Sequence, residues 1–277
     1  MDLGRIGVWT TYRTIGEEHA GEAAALVERL GFGTFWLGGS PRLPTVRPLL
    51  EATEYLVVAT GIVNVWAYDP TDLAAEYAEL VNDFPDRLMV GIGIGHPEAT
   101  SQYAKPLHAM QSFLDGLDAA SAPLPRERRC LAALGPKMLD LSAERASGAH
   151  SYFVPAEHTR AARERIGPDA LLAPELACVV DTEPGSARAK ARQYAKLYLG
   201  LRNYTSNLLR FGFTEDDIGG GGSDALIDAV IPHGSAEAIA TAVGAHLDAG
   251  ANHVCLQPVG VNGIPRDEWT SLALALS

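Results

Sequence analysis

A histidine directly after a run of alternating glycines is the first residue in the chain suited to moving a proton. The segment reads VGIGIGHPE over residues 90–98, and His96 follows its apolar part. Histidine titrates near neutral pH and often acts as a general acid or base. His96 is therefore the candidate catalytic residue, although a loop histidine without a role would fit the same pattern.

The glycines at positions 91, 93 and 95 do not form a dinucleotide-binding fingerprint. That fingerprint needs GxGxxG on the first strand–helix turn, whereas the spacing here is GxGxG. HPEATSQYAKP follows in place of an immediate helix. On one face of a strand, the glycines would clear space for a flat ligand or for bulky neighbouring groups.

An anion site is predicted where LAALGPKMLDL, residues 131–141, passes from a strand into a helix. Gly135 would let a ligand approach the backbone, and Pro136 fits the first helical turn. Free amides at a helix N-terminus bind phosphate, and Lys137 would add a positive charge. The alternative is an ordinary turn with a solvated lysine.

A polar residue interrupts the β-rich segment VATGIVNVWAYDP, residues 58–70. Asn64 lies among apolar neighbours, and a buried asparagine must be hydrogen-bonded, so it either ties a loop or meets a ligand. The segment ends at Asp69, which is predicted to cap a helix beginning at Pro70.

The ends of the first two predicted strands supply candidate pocket residues. They are Trp9 and Thr10 after the first strand, and Gly38 and Gly39 after the second. An aromatic residue there could line a substrate pocket, while core packing is the alternative.

Charge and cysteine usage exclude several classes. The net charge is −12 and no basic cluster is present, so nucleic acid is not an expected partner. The three cysteines, Cys130, Cys178 and Cys255, lack CxxC or CxxH spacing, which predicts buried reduced thiols and no metal site. No signal-peptide pattern or long apolar run is present, which predicts a cytoplasmic protein without a membrane span.

The elements that must position these residues alternate between strand and helix. Continuous apolar strands suit a parallel sheet buried on both faces. Eight such units predict one (β/α)8 TIM barrel domain over residues 1–277, with a doubly wound sheet as the alternative. The strands are predicted near 4–9, 33–38, 56–65, 87–93, 129–134, 149–154, 171–180 and 252–257. The helices are predicted near 17–30, 45–54, 70–83, 106–118, 135–146, 156–165, 184–200 and 235–248.

One segment interrupts this alternation, at about 201–233, between the seventh helix and the last one. Its four consecutive glycines, 219–222, predict a mobile joint. The segment is expected to be an insertion that covers the barrel mouth, or else a plain surface excursion.

Taken in order, several segments resemble the bacterial luciferase-like monooxygenase superfamily. They are VATGIVNVWAYDPTDLAAEYAELVNDFPDRLMVGIGIGHPE, LAALGPKMLDLSAERASGAH and NYTSNLLRFGFTEDDI. The order and spacing of these segments carry the resemblance, which covers nearly the whole chain. Within that superfamily, the chain more narrowly resembles the actinobacterial F420-dependent oxidoreductases.

The resemblance implies a flavin or deazaflavin ring at the C-terminal mouth of the barrel. A non-prolyl cis peptide in the third strand supports the ring in such proteins, which matches Gly61–Ile62 here, with Asn64 close by. The cofactor phosphate lies on the turn after the fifth strand, which corresponds to Ala133, Leu134, Gly135 and Lys137. Coenzyme F420 is the implied cofactor, with FMN as the alternative.

The chain also departs from relatives that oxidise sugar phosphates. Those carry Asp-His after the second strand and Glu after the fourth, where this chain has Gly38-Gly39 and His96. The expected reaction is therefore hydride transfer between the deazaflavin and an enone, imine or carbonyl of a small organic substrate. His96 would deliver the proton.

Three other interpretations stay open at this point. The first is an FMN-dependent monooxygenase that uses oxygen, and the second is a paralogue that binds the cofactor without turnover. The third is a phosphate-handling isomerase or lyase barrel, for which the sequence shows no convincing base. Oligomeric state is also open, although acidic barrels with exposed apolar helix faces often form homodimers.

Overall fold

The computed structural model describes residues 1–96 and 105–277, and the segment directly after His96 lies outside them. Within the described residues, eleven strands form one sheet, and every pairing is parallel. They are β1 Ile6–Thr10, β2 Thr34–Gly38, β3 Val57–Gly61, β4 Val63–Asn64, β5 Leu88–Gly93, β6 Arg129–Ala132, β7 Gly148–His150, β8 Leu171–Leu172, β9 Glu175–Val180, β10 His233–Gly234 and β11 Val254–Pro258.

Helices connect the strands and cover the outer face of the sheet. They are α1 Tyr12–Ile15, α2 Ala20–Arg29, α3 Arg47–Glu51, α4 Pro70–Asp83, α5 Pro106–Ala119, α6 Pro136–Arg145, α7 Ala156–Ile166, α8 Pro184–Tyr198, α9 Arg202–Arg210, α10 Glu215–Ile218, α11 Asp224–Val230, α12 Ala236–Asp248 and α13 Arg266–Leu276. Each of the eight predicted helices has a counterpart among them. None of the helices in the described part of the chain is long and apolar enough to cross a bilayer.

The strand order is β10-β9-β11-β1-β2-β3-β5-β6-β7-β8, with β4 paired to β5. The segment 171–180 has neighbours on both sides, because β8 pairs with β7 and β9 pairs with β11. Its Glu175 N–H also donates to the carbonyl of Ser151, at 2.8 Å. The predicted parallel α/β architecture is confirmed.

Two predicted strands are each divided into a pair. The 56–65 strand is interrupted at a cis peptide bond between Gly61 and Ile62, where the resemblance placed it. The 171–180 strand is interrupted before Pro174, which has no N–H to donate to a ladder. Strand β10 and helix α13 were not predicted; α13 follows the last strand and buries Trp269 and Leu272.

The core divides along the alternation of each strand. Val8, Phe35 and Val58 face outward and pack under the helices. Their neighbours Trp9 and Trp36 face inward and form a second cluster inside the sheet. Successive strand residues point to opposite faces, so one strand supplies both the helix-facing core and the interior from which a site is built.

The predicted insertion has a core of its own. Leu201, Leu208 and Ile227 pack with the buried alanines of α8 and with Phe153, which follows β7. The glycine run at 219–222 lies between α10 and α11, and Gly219–Gly221 form a short 3-10 turn. The helices of this segment are thereby attached to the sheet next to the ends of β7 and β9.

Candidate functional site

A cavity of about 500 Å³ lies at the C-terminal ends of the strands. Strand ends supply one side of it, which we call the strand wall: Trp9, Gly61, Ile62, Ala132, His150 and Tyr152. The opposite side, the insertion wall, consists of Tyr198 at the end of α8 and of Asn203 and Tyr204 on α9. The remaining lining residues are Thr11, Gly39, Ile94, Gly95, His96, Pro106, Ala133, Leu134, Gly135 and Met138.

The indole of Trp9 lies against the cis peptide segment. A Cβ atom on Gly61 would collide with the indole nitrogen of Trp9, and one on Gly38 would collide with its six-membered ring. Gly38 therefore makes room for the tryptophan and does not line the cavity, in contrast to the prediction; Gly39 does line it. Trp9 belongs to both the inner core cluster and the cavity wall.

The alternating glycines of β5 make room for the irregular third strand. A Cβ on Gly91 would strike the carbonyl oxygen of Thr60, and one on Gly93 would lie 2.6 Å from Cγ1 of Ile62. Of the two interpretations offered by the sequence, the bulky neighbour is therefore the observed one at both positions. Gly95 alone of the three lines the cavity.

The turn at Gly135 also contributes to the cavity wall. Helix α6 begins at Pro136, and its cap residue Gly135 has no side chain to occupy the free amides. Leu134 and Gly135 line the cavity. The carbonyl oxygen of Leu134 accepts a hydrogen bond from Nε2 of His158, at 3.0 Å.

The cation at this turn differs from the one that the sequence indicated. Lys137 is exposed on α6 and does not line the cavity. Arg210, the last residue of α9, places its Nη1 4.0 Å from the position of a Cβ on Gly135. Arg210 makes a 3.4 Å hydrogen bond to Asn207 and forms no ion pair with a carboxylate of the described residues.

Two further predicted residues lie beside the cavity without lining it. Thr10 is buried in β1, and its neighbour Thr11 takes the lining position. The side chain of Asn64 accepts a hydrogen bond from the N–H of Trp66, at 3.0 Å. Asn64 therefore ties its own loop, which was one of the two interpretations that the sequence left open.

His96 lies three residues beyond β5 and lines the cavity. Its ring centroid is 5.4 Å from that of Tyr204, so the strand end and the insertion wall meet at this histidine. Pro97 and the residues up to 104, which follow it in sequence, lie outside the described residues.

A group of three hydrogen-bonded tyrosines, two of which line the cavity, was not predicted. The hydroxyl of Tyr152 donates to Oε1 of Gln257 at 2.5 Å and is also hydrogen-bonded to the hydroxyl of Tyr194. Tyr198 joins them through bonds of 3.2 Å to both tyrosine hydroxyls. Burial raises the pKa of Tyr152 and Tyr194 well above the usual range of tyrosine, so these hydroxyls stay protonated.

Burial shifts the pKa of two titratable groups in the sheet towards the uncharged form. Burial lowers the pKa of His150 to about 4, despite an opposing hydrogen bond to the carbonyl of Ala173. Burial raises the pKa of Glu175 well above its usual range, against a smaller lowering by the Phe153 backbone. Within residues 1–96 and 105–277, His, Cys, Asp and Glu side chains do not gather into a group that would hold a metal ion.

Residues 1–260 match the family model of the luciferase-like monooxygenases, so the chain belongs to that family. A comparison with curated protein sequences finds no match. The family assignment confirms the resemblance carried by the segments around Gly61, His96 and Gly135.

Solved structures share the fold at low sequence identity. An F420-dependent secondary alcohol dehydrogenase in complex with an F420–acetone adduct is 15% identical, with a TM-score of 0.78 and full coverage of both chains. The coenzyme F420-dependent tetrahydromethanopterin reductase of Methanopyrus kandleri is 14% identical, with a TM-score of 0.69 over 98% of this chain and 97% of that one. The oxygenating constituent of 3,6-diketocamphane monooxygenase from Pseudomonas putida, in complex with FMN, is 12% identical, with a TM-score of 0.68 over 99% and 96%.

Proposed function

We propose that the protein is an F420-dependent oxidoreductase that transfers a hydride between the deazaflavin and a small organic substrate in the mouth of a (β/α)8 barrel. The observation that carries the proposal is that one cavity is lined both by Gly61 and Ile62 of the third strand segment and by the open Gly135 turn at the start of α6. A flat ring with a phosphate-bearing side chain requires both an apolar strand wall and a turn that receives an anion. The F420-dependent proteins of the same fold support the choice of cofactor.

The residues present fit such a group. Ile62 and Trp9 would contact the ring, and the cavity wall there is apolar enough to exclude water. The amides at the start of α6 and the guanidinium of Arg210 would receive the phosphate, because no side chain at Gly135 fills that space. When bound, the deazaflavin supplies two-electron hydride chemistry.

The protein's own residues would contribute to the reaction by orienting the substrate and by supplying a proton to it. His96 lines the same cavity, with its ring centroid 5.4 Å from that of Tyr204 on the insertion wall, so its ring is within reach of a substrate held in that cavity. We assign to it the delivery of a proton to the substrate atom that becomes basic during reduction. We also propose that segment 201–233 covers the barrel mouth, which is supported by α9, since this helix supplies Asn203 and Tyr204 to the same cavity.

Titration of the protein with F420 and with FMN, followed by fluorescence, tests this proposal. We expect F420 to bind and to become reduced or oxidised with a substrate in a His96-dependent manner. Binding of FMN alone, followed by oxygen consumption, would identify a monooxygenase instead. Binding without turnover would indicate a carrier, and failure of both to bind would overturn the redox assignment.

A substitution pair tests the anion site directly. Gly135→Leu would fill the space in front of α6 and should weaken binding of phosphate-bearing cofactor at least tenfold. Gly244→Leu is the control, because Gly244 lies in α12 with no atom within 4 Å of an added Cβ. Equal affinities of the two variants would place the phosphate elsewhere.

A further inference from the structure

Two buried polar atoms of opposite hydrogen-bonding character lie on the strand wall. Nε2 of His150 and Nε1 of Trp9 have no hydrogen-bond partner in the described part of the chain. Both residues line the cavity, and they are 2% and 6% exposed. Buried polar atoms normally find partners, so each position indicates a group supplied from the cavity.

The protonation state of His150 follows from its other nitrogen. Nδ1 lies 2.7 Å from the carbonyl oxygen of Ala173, which can only accept, so Nδ1 carries the hydrogen. The pKa of about 4, lowered by burial, keeps the imidazole neutral at physiological pH. Nε2 is therefore a bare lone pair, which accepts a hydrogen bond and cannot donate one.

The acceptor is also fixed in direction. Trp36 stacks on the His150 ring with centroids 4.4 Å apart and an interplanar angle of 15°. Trp36 in turn donates from Nε1 to Nε2 of His253, at 3.0 Å, and Nδ1 of His253 donates to the carbonyl of Gly4, at 2.8 Å. This chain of contacts inside the sheet leaves His150 one orientation, a preorganised state for recognition.

Trp9 provides the complementary donor. An indole N–H can only donate, and here it lies beside Gly61, where the cis peptide segment meets the cavity. The strand wall thus offers one fixed acceptor and one fixed donor in an otherwise apolar enclosure.

We propose that His150 and Trp9 recognise a ligand edge on which an N–H group adjoins a carbonyl, as in a cyclic imide or lactam. His150 would accept from the N–H, and Trp9 would donate to the carbonyl oxygen. The pyrimidinedione edge of flavins and deazaflavins has this chemistry at N3–H and its flanking carbonyls. The inference rests on the proposed function, and it holds for either cofactor because both carry this edge.

Methylation of the ring at N3 tests the acceptor, because it removes the N–H and leaves the rest of the ring. FMN and F420 are titrated by fluorescence beside the N3-methyl derivative of each. In the wild-type protein we expect the methylated ring to bind at least tenfold more weakly. Equal affinities of the methylated and parent rings would overturn the inference while leaving the proposed function intact.

His150 variants locate the effect. His150→Asn keeps a donor towards the carbonyl of Ala173 and removes the acceptor. The variant should therefore bind the parent ring about tenfold more weakly than the wild type does. Methylation at N3 should cause no further loss of affinity in this variant. His150→Gln returns an acceptor and should recover part of the preference for the parent ring. The ratio of the two affinities is measured within one variant, so a loss of stability does not imitate the result. His19→Asn, at a half-exposed histidine, is the matched control and should keep the wild-type ratio.

Infrared difference spectra test the donor. Trp9→Phe keeps an aromatic ring but removes the N–H together with part of the indole, so a ring carbonyl stretch of the bound cofactor should move to higher frequency than in the wild type. An unchanged spectrum would remove Trp9 from the inference. Failure of FMN and F420 alike to bind the wild-type protein is the distinct result that overturns the proposed function and this inference together.

Discussion

The two walls of the cavity are held by different means. The strand wall follows from the register of a parallel sheet, and its aromatic and imidazole groups fill the interior at close contact. The insertion wall is a helix fixed by a separate apolar cluster, with Leu201 and Leu208 as its attachments. A site built in this way has one side with little freedom to change and another that can vary with the ligand.

The largest expected difference is between the insertion and the rest of the barrel, that is, the sheet with its covering helices, in their response to acid. Burial lowers the pKa of His150, His158, His246 and His253 to about 4, whereas residues 201–232 contain no histidine. Between pH 6.5 and 4 the unfolded chain binds more protons than the folded one, so stability falls as the pH falls. Each histidine contributes about 1.4 kcal/mol per pH unit within that window. Glu175 acts in the opposite sense, because its raised pKa favours the folded state in acid.

Because four histidines act together and Glu175 offsets only part of their effect, the net expectation is a loss on the order of 10 kcal/mol between pH 6.5 and 4. Urea unfolding at intervals of half a pH unit measures it, and hydrogen exchange shows where it begins. The amides of β7 should lose protection in parallel with global unfolding, while those of α9 should follow their own, less pH-dependent opening. A free energy of unfolding that stays constant across this window would contradict the assignment of four neutral histidines.

The next largest expected difference is in stability, when one glycine of the sheet and one glycine of the insertion are each changed to alanine. Gly91→Ala would push a Cβ into the carbonyl of Thr60 and should cost about 3 kcal/mol, since backbone in a sheet cannot move away. Gly219→Ala in the insertion meets no atom within 4 Å at a φ of −63°, so stability should change by no more than about 0.5 kcal/mol. Thermal unfolding of both variants measures the difference, and similar losses would mean that the insertion is packed as rigidly as the sheet.

The same division explains what could be predicted from the sequence. The Gly61–Ile62 bond and the Gly135 turn lie at strand ends, where order along the chain fixes position in the sheet, and both were located correctly. His150 and Tyr152 end and follow the observed strand β7, but the strand predicted near 149–154 placed both inside it, so the rule that strand ends carry function did not find them.

Other features had no local signal in the sequence. Arg210 approaches Gly135 from a helix 75 residues further along the chain, so spacing could not connect them, and the adjacent Lys137 was chosen instead. The space at Gly91 and Gly93 could be interpreted in two ways, because only the path of the neighbouring strand decides what fills it. Helix α13 follows the last strand, outside the alternation used to place the others.

A smaller effect on cofactor affinity is expected when the insertion loses the guanidinium of Arg210, which lies near the proposed phosphate site at Gly135. Arg210→Ala should weaken FMN about fivefold, or about 1 kcal/mol, because the guanidinium is exposed and partly screened by solvent. Riboflavin, which lacks the phosphate, should bind the variant and the wild type alike. Arg202→Ala removes an exposed arginine from the first turn of the same helix and is the control. Equal weakening of FMN and riboflavin would assign Arg210 to packing of the wall.

A further comparison separates two tyrosines that face the same cavity from opposite walls. The hydroxyl of Tyr152 is bonded to Gln257 and to neighbouring tyrosines, so Tyr152→Phe should destabilise the protein by about 1–2 kcal/mol. The hydroxyl of Tyr204 makes no hydrogen bond to the described residues, so Tyr204→Phe should change stability by less than about 0.5 kcal/mol. Urea unfolding of the two variants gives the comparison. If Tyr204→Phe costs as much as Tyr152→Phe, the protein itself holds that hydroxyl; if it costs nothing, the insertion wall presents it to whatever occupies the cavity.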